Sequence, residues 1–113
     1  MSEHAWVKEF PVAITVCDPN GIITEMNEKA AQAFAADGGR QLIGTNALDC
    51  HPEPARSKFA RMLATGQTNV YTIEKHGVKK LIYQTPWYQD GQFSGFIELH
   101  LEIPWEFPHF VHG

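Results

Sequence analysis

The strongest constraint on this chain lies between Thr68 and Ile103, where two glycine-bearing turns cut a long alternating stretch into three strands. Thr68 to Lys75 reads as one strand, closed by the tight turn His76-Gly77. Val78 to Tyr88 is a longer strand with Leu81, Tyr83, Thr85 and Trp87 on one face. Gln89-Asp90-Gly91-Gln92 is the second turn, with glycine where a positive φ is needed. Phe93 to Ile103 places Ile97, Leu99, Leu101 and Ile103 on one face and Glu98, His100 and Glu102 on the other. Successive side chains of a strand point to opposite faces, so this period of two marks an antiparallel meander.

The chain also opens with β-structure. Val12, Ile14 and Val16 alternate with Ala13, Thr15 and Cys17, and Asp18-Pro19-Asn20-Gly21 supplies a turn. Proline fixes φ, aspartate suits the first turn position, and glycine supplies the exit. Ile22 to Met26 returns as a short strand, and Asn27 then stands where a helix needs a side-chain acceptor for its free N–H groups. The alanine-rich Glu28 to Ala36 follows, with Ala30, Ala31, Phe34 and Ala35 on one face, and Asp37-Gly38-Gly39 ends it. Arg40 to Gly44 fits a single helical turn. Beyond Pro52 a second helix runs to Gly66, with Ala55, Phe59, Met62 and Leu63 on one side. Two strands, a set of helices and three strands predict an α+β fold: one five-stranded antiparallel sheet with helices covering one face. Residues 1–9 form a lead-in, 10–103 the domain, and 104–113 a tail whose Trp105, Phe107, Phe110 and Val111 are too apolar to stay in water.

In order and punctuation the chain resembles PAS domains over roughly residues 10–103. The likeness is carried by "CDPNGIITEMN", by "NEKAAQAF", by Leu42-Ile43-Gly44, and by the closing "LIYQTPWY" and "GFIELHLEI". A narrower stretch, "LDCHPEPARSKF", resembles small stand-alone bacterial PAS proteins with a Cys-His-Pro motif before the last helix, although Glu53 stands where their second proline would be. The resemblance implies a sheet order of 2-1-5-4-3, helices enclosing a pocket against the sheet, and a sensory or interaction module. Such domains bind haem, flavins or small metabolites, or bind nothing and dimerise.

The composition narrows the partners. The 113 residues fit one domain with one core. A net charge of −4, with Lys79-Lys80 the one adjacent basic pair, argues against a nucleic-acid surface. No apolar run approaches the roughly 18 residues of a membrane span, and the N-terminus lacks a signal-peptide core, so the expected location is cytoplasmic. Two cysteines do not make a disulfide framework.

Cys50-His51-Pro52 is the tripeptide with the most chemistry. In the pocket that the resemblance implies, His51, or Cys50 as a thiolate, is a candidate haem-iron ligand. The alternative is structural: Cys50 a small buried hydrophobe, His51 a capping side chain. Zinc needs four ligands at local spacing, and no second pair stands nearby, so no metal site is expected apart from haem iron. A Cys–His dyad fails because adjacent helical residues do not face each other. No phosphate-binding glycine loop or nucleophile elbow is present, so no catalytic residue is assigned and an enzyme is not expected. Phe59, Met62, Tyr83 and Trp87 are expected to wall a cavity for a flat apolar ligand. His100 is expected in solvent or at a dimer surface.

The leading expectation is therefore a sensory module that binds a small molecule, with haem the first candidate cofactor. It would signal through a homodimer or a separate signalling protein. A ligand-free dimerisation module is the second reading, and a small Cys50-dependent enzyme the last.

Overall fold

Both closing turns adopt the mirror-image geometry that right-twisted hairpins require. His76 and Gly77 lie at φ 53° and 77°, and Asp90 and Gly91 at 51° and 79°. The computed structural model describes residues 5–113, with Cys50 described by its backbone alone. The first four residues of the 1–9 lead-in lie outside the described residues, and Ala5–Lys8 forms a short helix, α1.

The strands are β1 (Ala13–Cys17), β2 (Ile23–Met26), β3 (Asn69–Lys75), β4 (Val78–Gln89) and β5 (Gln92–Ile103). They form one five-stranded sheet in the order β2-β1-β5-β4-β3, every pairing antiparallel. Helix α2 (Glu28–Ala33), three 3-10 turns (Ala35–Asp37, Gly39–Leu42 and Ala47–Cys50) and helix α3 (Ala55–Thr65) connect β2 to β3. The architecture is the α+β fold expected from the order of elements.

Asn27 fixes the start of α2 and ties it to the sheet. Its Oδ1 accepts from the Ala30 N–H, the capping bond, and from the Ile14 N–H of β1, each at 3.0 Å. Its Nδ2 donates to the Val12 carbonyl at 2.8 Å and to the Val7 carbonyl at 3.1 Å. This buried side chain therefore joins the helix, the first strand and the N-terminal segment. The first turn is held similarly: Asp18 Oδ1 accepts from the N–H groups of Asn20 and Ile22.

Helix α2 is shorter than its alanine content suggests. It tightens into 3-10 geometry from Ala35, and Gly38 at φ 112° ends the segment. Helix α3 buries Phe59 and Met62 against the sheet, while Ala55 stays exposed in the first turn. Ser57 donates through its N–H and its hydroxyl to the Glu53 carboxylate, which satisfies part of the α3 N-terminus.

Burial falls into two clusters rather than one. Ala13, Ile23, Met26 and Ala30 pack between β1, β2 and α2, and Cys17, Phe59, Met62 and Phe96 pack between the sheet and α3. Ala47 touches both. Of the aromatic tail, Trp105 docks on the β3–β4 hairpin: its indole N–H donates to the Gly77 carbonyl, and Lys79 Nζ lies 5.7 Å from its ring centre. Phe107, Phe110 and Val111 remain exposed.

Candidate functional site

A cavity of about 370 Å³ lies between the two buried clusters. Members of both clusters line it, Ile23 and Met26 on one side and Cys17, Phe59 and Phe96 on the other. Its floor is the inner face of the sheet, which contributes Gln84 from β4 and Glu98 and His100 from β5. That volume is at the lower end of the roughly 300–1,000 Å³ typical of small-molecule sites.

The polar floor is tightly ordered. His100 Nε2–H donates to Glu98 Oε1 at 2.8 Å, and the Gln84 amide donates to Glu98 Oε2. Asn69 Nδ2 donates to Gln84 Oε1 at 3.0 Å, which fixes the amide with its N–H groups toward the carboxylate. Phe34 packs edge-on against the His100 ring. Glu98 is half-buried, with 22% of its side-chain surface accessible, and lines the cavity. Burial alone pushes its carboxyl up. The His100 hydrogen bond and charge, the Gln84 amide and His51 outweigh that, and the carboxyl is held below its ordinary value.

His51 and Phe59 make one wall of the cavity. Their rings stack at 18° with centres 5.5 Å apart. His51 Nδ1 lies 2.6 Å from the Ala47 carbonyl. A carbonyl only accepts, so Nδ1 carries the proton and Nε2 is left free. Behind this wall is a second cavity of about 360 Å³, which shares His51, Phe59, Tyr71 and Gln84 and adds Lys58 and Arg61.

The six residues singled out from sequence are thus distributed unevenly. His51 and Phe59 line the first cavity, and Met62 is buried beside Phe59 and lines the second. The side chain of Cys50 lies outside the described residues. Tyr83 and Trp87 correct the expectation, since both stand on the opposite, outer face of the sheet. Tyr83 pairs with Leu99 there, and Trp87 lies over Gly95, its indole N–H donating to the Cys17 carbonyl at 3.2 Å. His100 also departs from expectation, because it faces the cavity rather than solvent.

A β-bulge sets which residues of β4 share a face with Glu98 and His100. Near the turn Gln89 pairs with Gln92 and Tyr88 with Phe93, but after the bulge between Trp87 and Tyr88 the register becomes Trp87 with Gly95 and Gln84 with Glu98. Shifting a register by one residue moves a whole alternating set to the other face. Without the bulge Tyr83 would share a face with Glu98. With it, Gln84, Glu98 and His100 form the cavity floor, and Leu81, Tyr83, Leu99 and Leu101 form the outer face.

Among the described residues, no group of three or more His, Cys, Asp and Glu side chains stands close enough to hold a metal ion. No described helix is long and apolar enough to cross a membrane.

The family model described as PAS fold matches residues 7–103. Among solved structures, the fold is similar to the Aer2 receptor from Vibrio cholerae, a dual PAS-haem oxygen sensor. The TM-score is 0.59 and the identity 20%, covering 82% of this chain and 95% of that one. A PAS domain of an HTR-like protein from Haloarcula marismortui matches at TM-score 0.62 and 14% identity, covering 88% of this chain and 92% of that one. The Vibrio cholerae VqmA dimer matches at TM-score 0.64 and 16% identity, covering 88% of this chain and 49% of that one. No curated protein matches the sequence. With a five-stranded sheet in the order β2-β1-β5-β4-β3 and a family match over nearly its whole length, the chain belongs to the PAS fold family.

Proposed function

We propose that the chain is a sensory module that takes a small ligand into the cavity and passes the change through β5 to a second copy on the outer face of the sheet. The observation that carries this reading is the alternation of β5. Glu98 and His100 line the cavity, while Leu99 and Leu101 lie on the opposite face beside Tyr83 and Leu81. A ligand that shifts the floor therefore shifts the outer face by the same strand, which is the differential contact that a population shift requires. On that outer face Ile14, Val16, Leu81, Tyr83, Leu99 and Leu101 are uncharged neighbours, with Glu74 opposite Lys79 at one end. Glu25 of β2 stands opposite Val16 on the same face, so a second copy centred on Tyr83 and Leu99 would leave that edge at the solvated rim, where its charge stays in water.

Haem is the ligand that His51 favours. A ligating histidine commonly donates its other ring N–H to a carbonyl, as His51 does to Ala47, leaving Nε2 for iron. The charge of the cavity opposes this: the carboxylates among its described lining residues are Asp37 and Glu98, and no Lys or Arg stands among them to receive propionates. A small organic ligand meets neither difficulty. Among proteins of similar fold, VqmA has been described bound to DPO, and Aer2 as a PAS-haem sensor.

The test is native mass spectrometry of the purified protein, alongside an absorption spectrum before and after adding haemin. A colourless bound mass, released on denaturation, supports the organic-ligand reading. A Soret band that weakens in His51→Ala transfers the role to haem. A bare protein that takes up neither haemin nor a neutral flat probe such as indole turns the reading to a ligand-free dimerisation module.

A further inference from the structure

The lining of the first cavity is sorted by charge. It carries two carboxylates, Asp37 and Glu98, while Lys58 and Arg61 line the second cavity, behind the His51–Phe59 wall. The titratable groups around Glu98 are His100 on its own strand, His51 from the segment before α3, Tyr71 on β3 and Cys17 on β1, with Asp37 on the same cavity lining. The remaining walls are largely aromatic and aliphatic, with Phe34, Phe59, Phe96 and Tyr71 supplying rings.

Glu98 is presented rather than spent. An ionised carboxylate has about four lone-pair sites, and among the described residues His100 and Gln84 occupy two of them. Both partners are themselves held, Gln84 by Asn69 and His100 against Phe34, so the carboxylate does not need to reorganise to receive a ligand. A fixed acceptor shielded from bulk water attracts N–H donors strongly and repels anions. Aromatic faces near it favour a cation further.

We propose that this cavity is selective for a compact organic cation with N–H donors, an amidine or protonated amine on a flat ring, which the Glu98 carboxylate receives between aromatic walls. The inference rests on the cavity being a ligand site and adds the chemical class of ligand. It also separates this cavity from haem, whose propionates would meet Asp37 and Glu98.

The test uses two probes of nearly equal shape and opposite charge, benzamidine and benzoate, with indole as a neutral third, titrated by calorimetry into the full chain. Benzamidine is expected to bind at least about tenfold more tightly than benzoate, the ratio given by about 1.4 kcal/mol. In Glu98→Gln that preference should fall to within about threefold while indole binding is kept, which also reports that the variant is folded. Benzoate binding as tightly as benzamidine to the unaltered protein overturns the proposal, whatever the variant does. So does a preference that survives in Glu98→Gln. Indole binding without benzamidine binding overturns the cation class and leaves the ligand site standing, whereas binding of none of the three overturns both.

Discussion

The His100 imidazole donates to the Glu98 carboxylate at 2.8 Å, two residues away on the cavity side of β5. A carboxylate and an imidazole in contact on the cavity floor make stability depend on pH. The folded-state pKa of Glu98 lies below its ordinary value of 4.5. Its contribution is therefore whole above the unfolded pKa and is lost as pH falls through the folded one. Glu98→Gln cannot titrate. The difference in urea midpoint between the protein and this variant should be largest near about pH 7 and shrink by about pH 3. A gap that stays constant over that range would show that Glu98 carries no linked charge.

Asn27 offers a second test, where α2 joins β1. Its side chain caps α2 and bonds to Ile14, Val12 and Val7. Losing a cap costs about 0.5–2 kcal/mol, and leaving buried partners unpaired adds about 1–3 more. Asn27→Ala should lower stability by roughly 2–4 kcal/mol in urea denaturation. A loss below about 0.5 kcal/mol would mean that water replaces these bonds without cost.

Gly95 lies next to the bulge at φ 128°, and a Cβ built there would stand 1.8 Å from the Cys17 carbonyl oxygen. The neighbour is backbone and cannot swing away. Gly95→Ala should destabilise by about 3 kcal/mol or more, through overpacking and a strained φ together. It should also perturb Trp87 fluorescence, because the indole bonds to the same carbonyl. An unchanged midpoint would contradict the close β1–β5 approach.

How much of this was legible beforehand follows from what alternation can and cannot decide. The turns, the Asn27 cap and the helix after Pro52 carry local signals in glycine, proline, asparagine and helical spacing, and each appears where those residues put it. Alternation separates the faces of β5 but does not say which one meets the helices. The apolar set Leu99 and Leu101 looks like core, while the cavity takes Glu98 and His100. The bulge that puts Gln84 rather than Tyr83 beside Glu98 leaves a weak trace, the glycine at position 95 inside a strand. Glu98 and His100 read in the sequence as the polar, solvent-facing side of an amphipathic strand, and Gln84 carries no local signal of its place on the cavity floor. His51 and Phe59 carry local signals, a Cys-His-Pro motif and helical spacing after it.

The outer face yields a prediction about assembly. Leu99→Lys places a charge among Ile14, Tyr83 and Leu101 without touching the cavity floor. Light scattering at tens of micromolar should give a dimer mass for the unaltered protein and a monomer mass for the variant. A monomer in both would remove the second copy from the relay.

The measurement that bears most directly on the ligand site is amide chemical-shift mapping during titration with indole. The expected shifts centre on Thr15, Cys17, Phe96, Glu98 and His100 around the cavity and extend to Leu99 and Leu101 on the same strand. Shifts confined to the exposed tail at Phe107 and Phe110, or no shifts at all, would contradict a ligand-holding cavity coupled to the outer face.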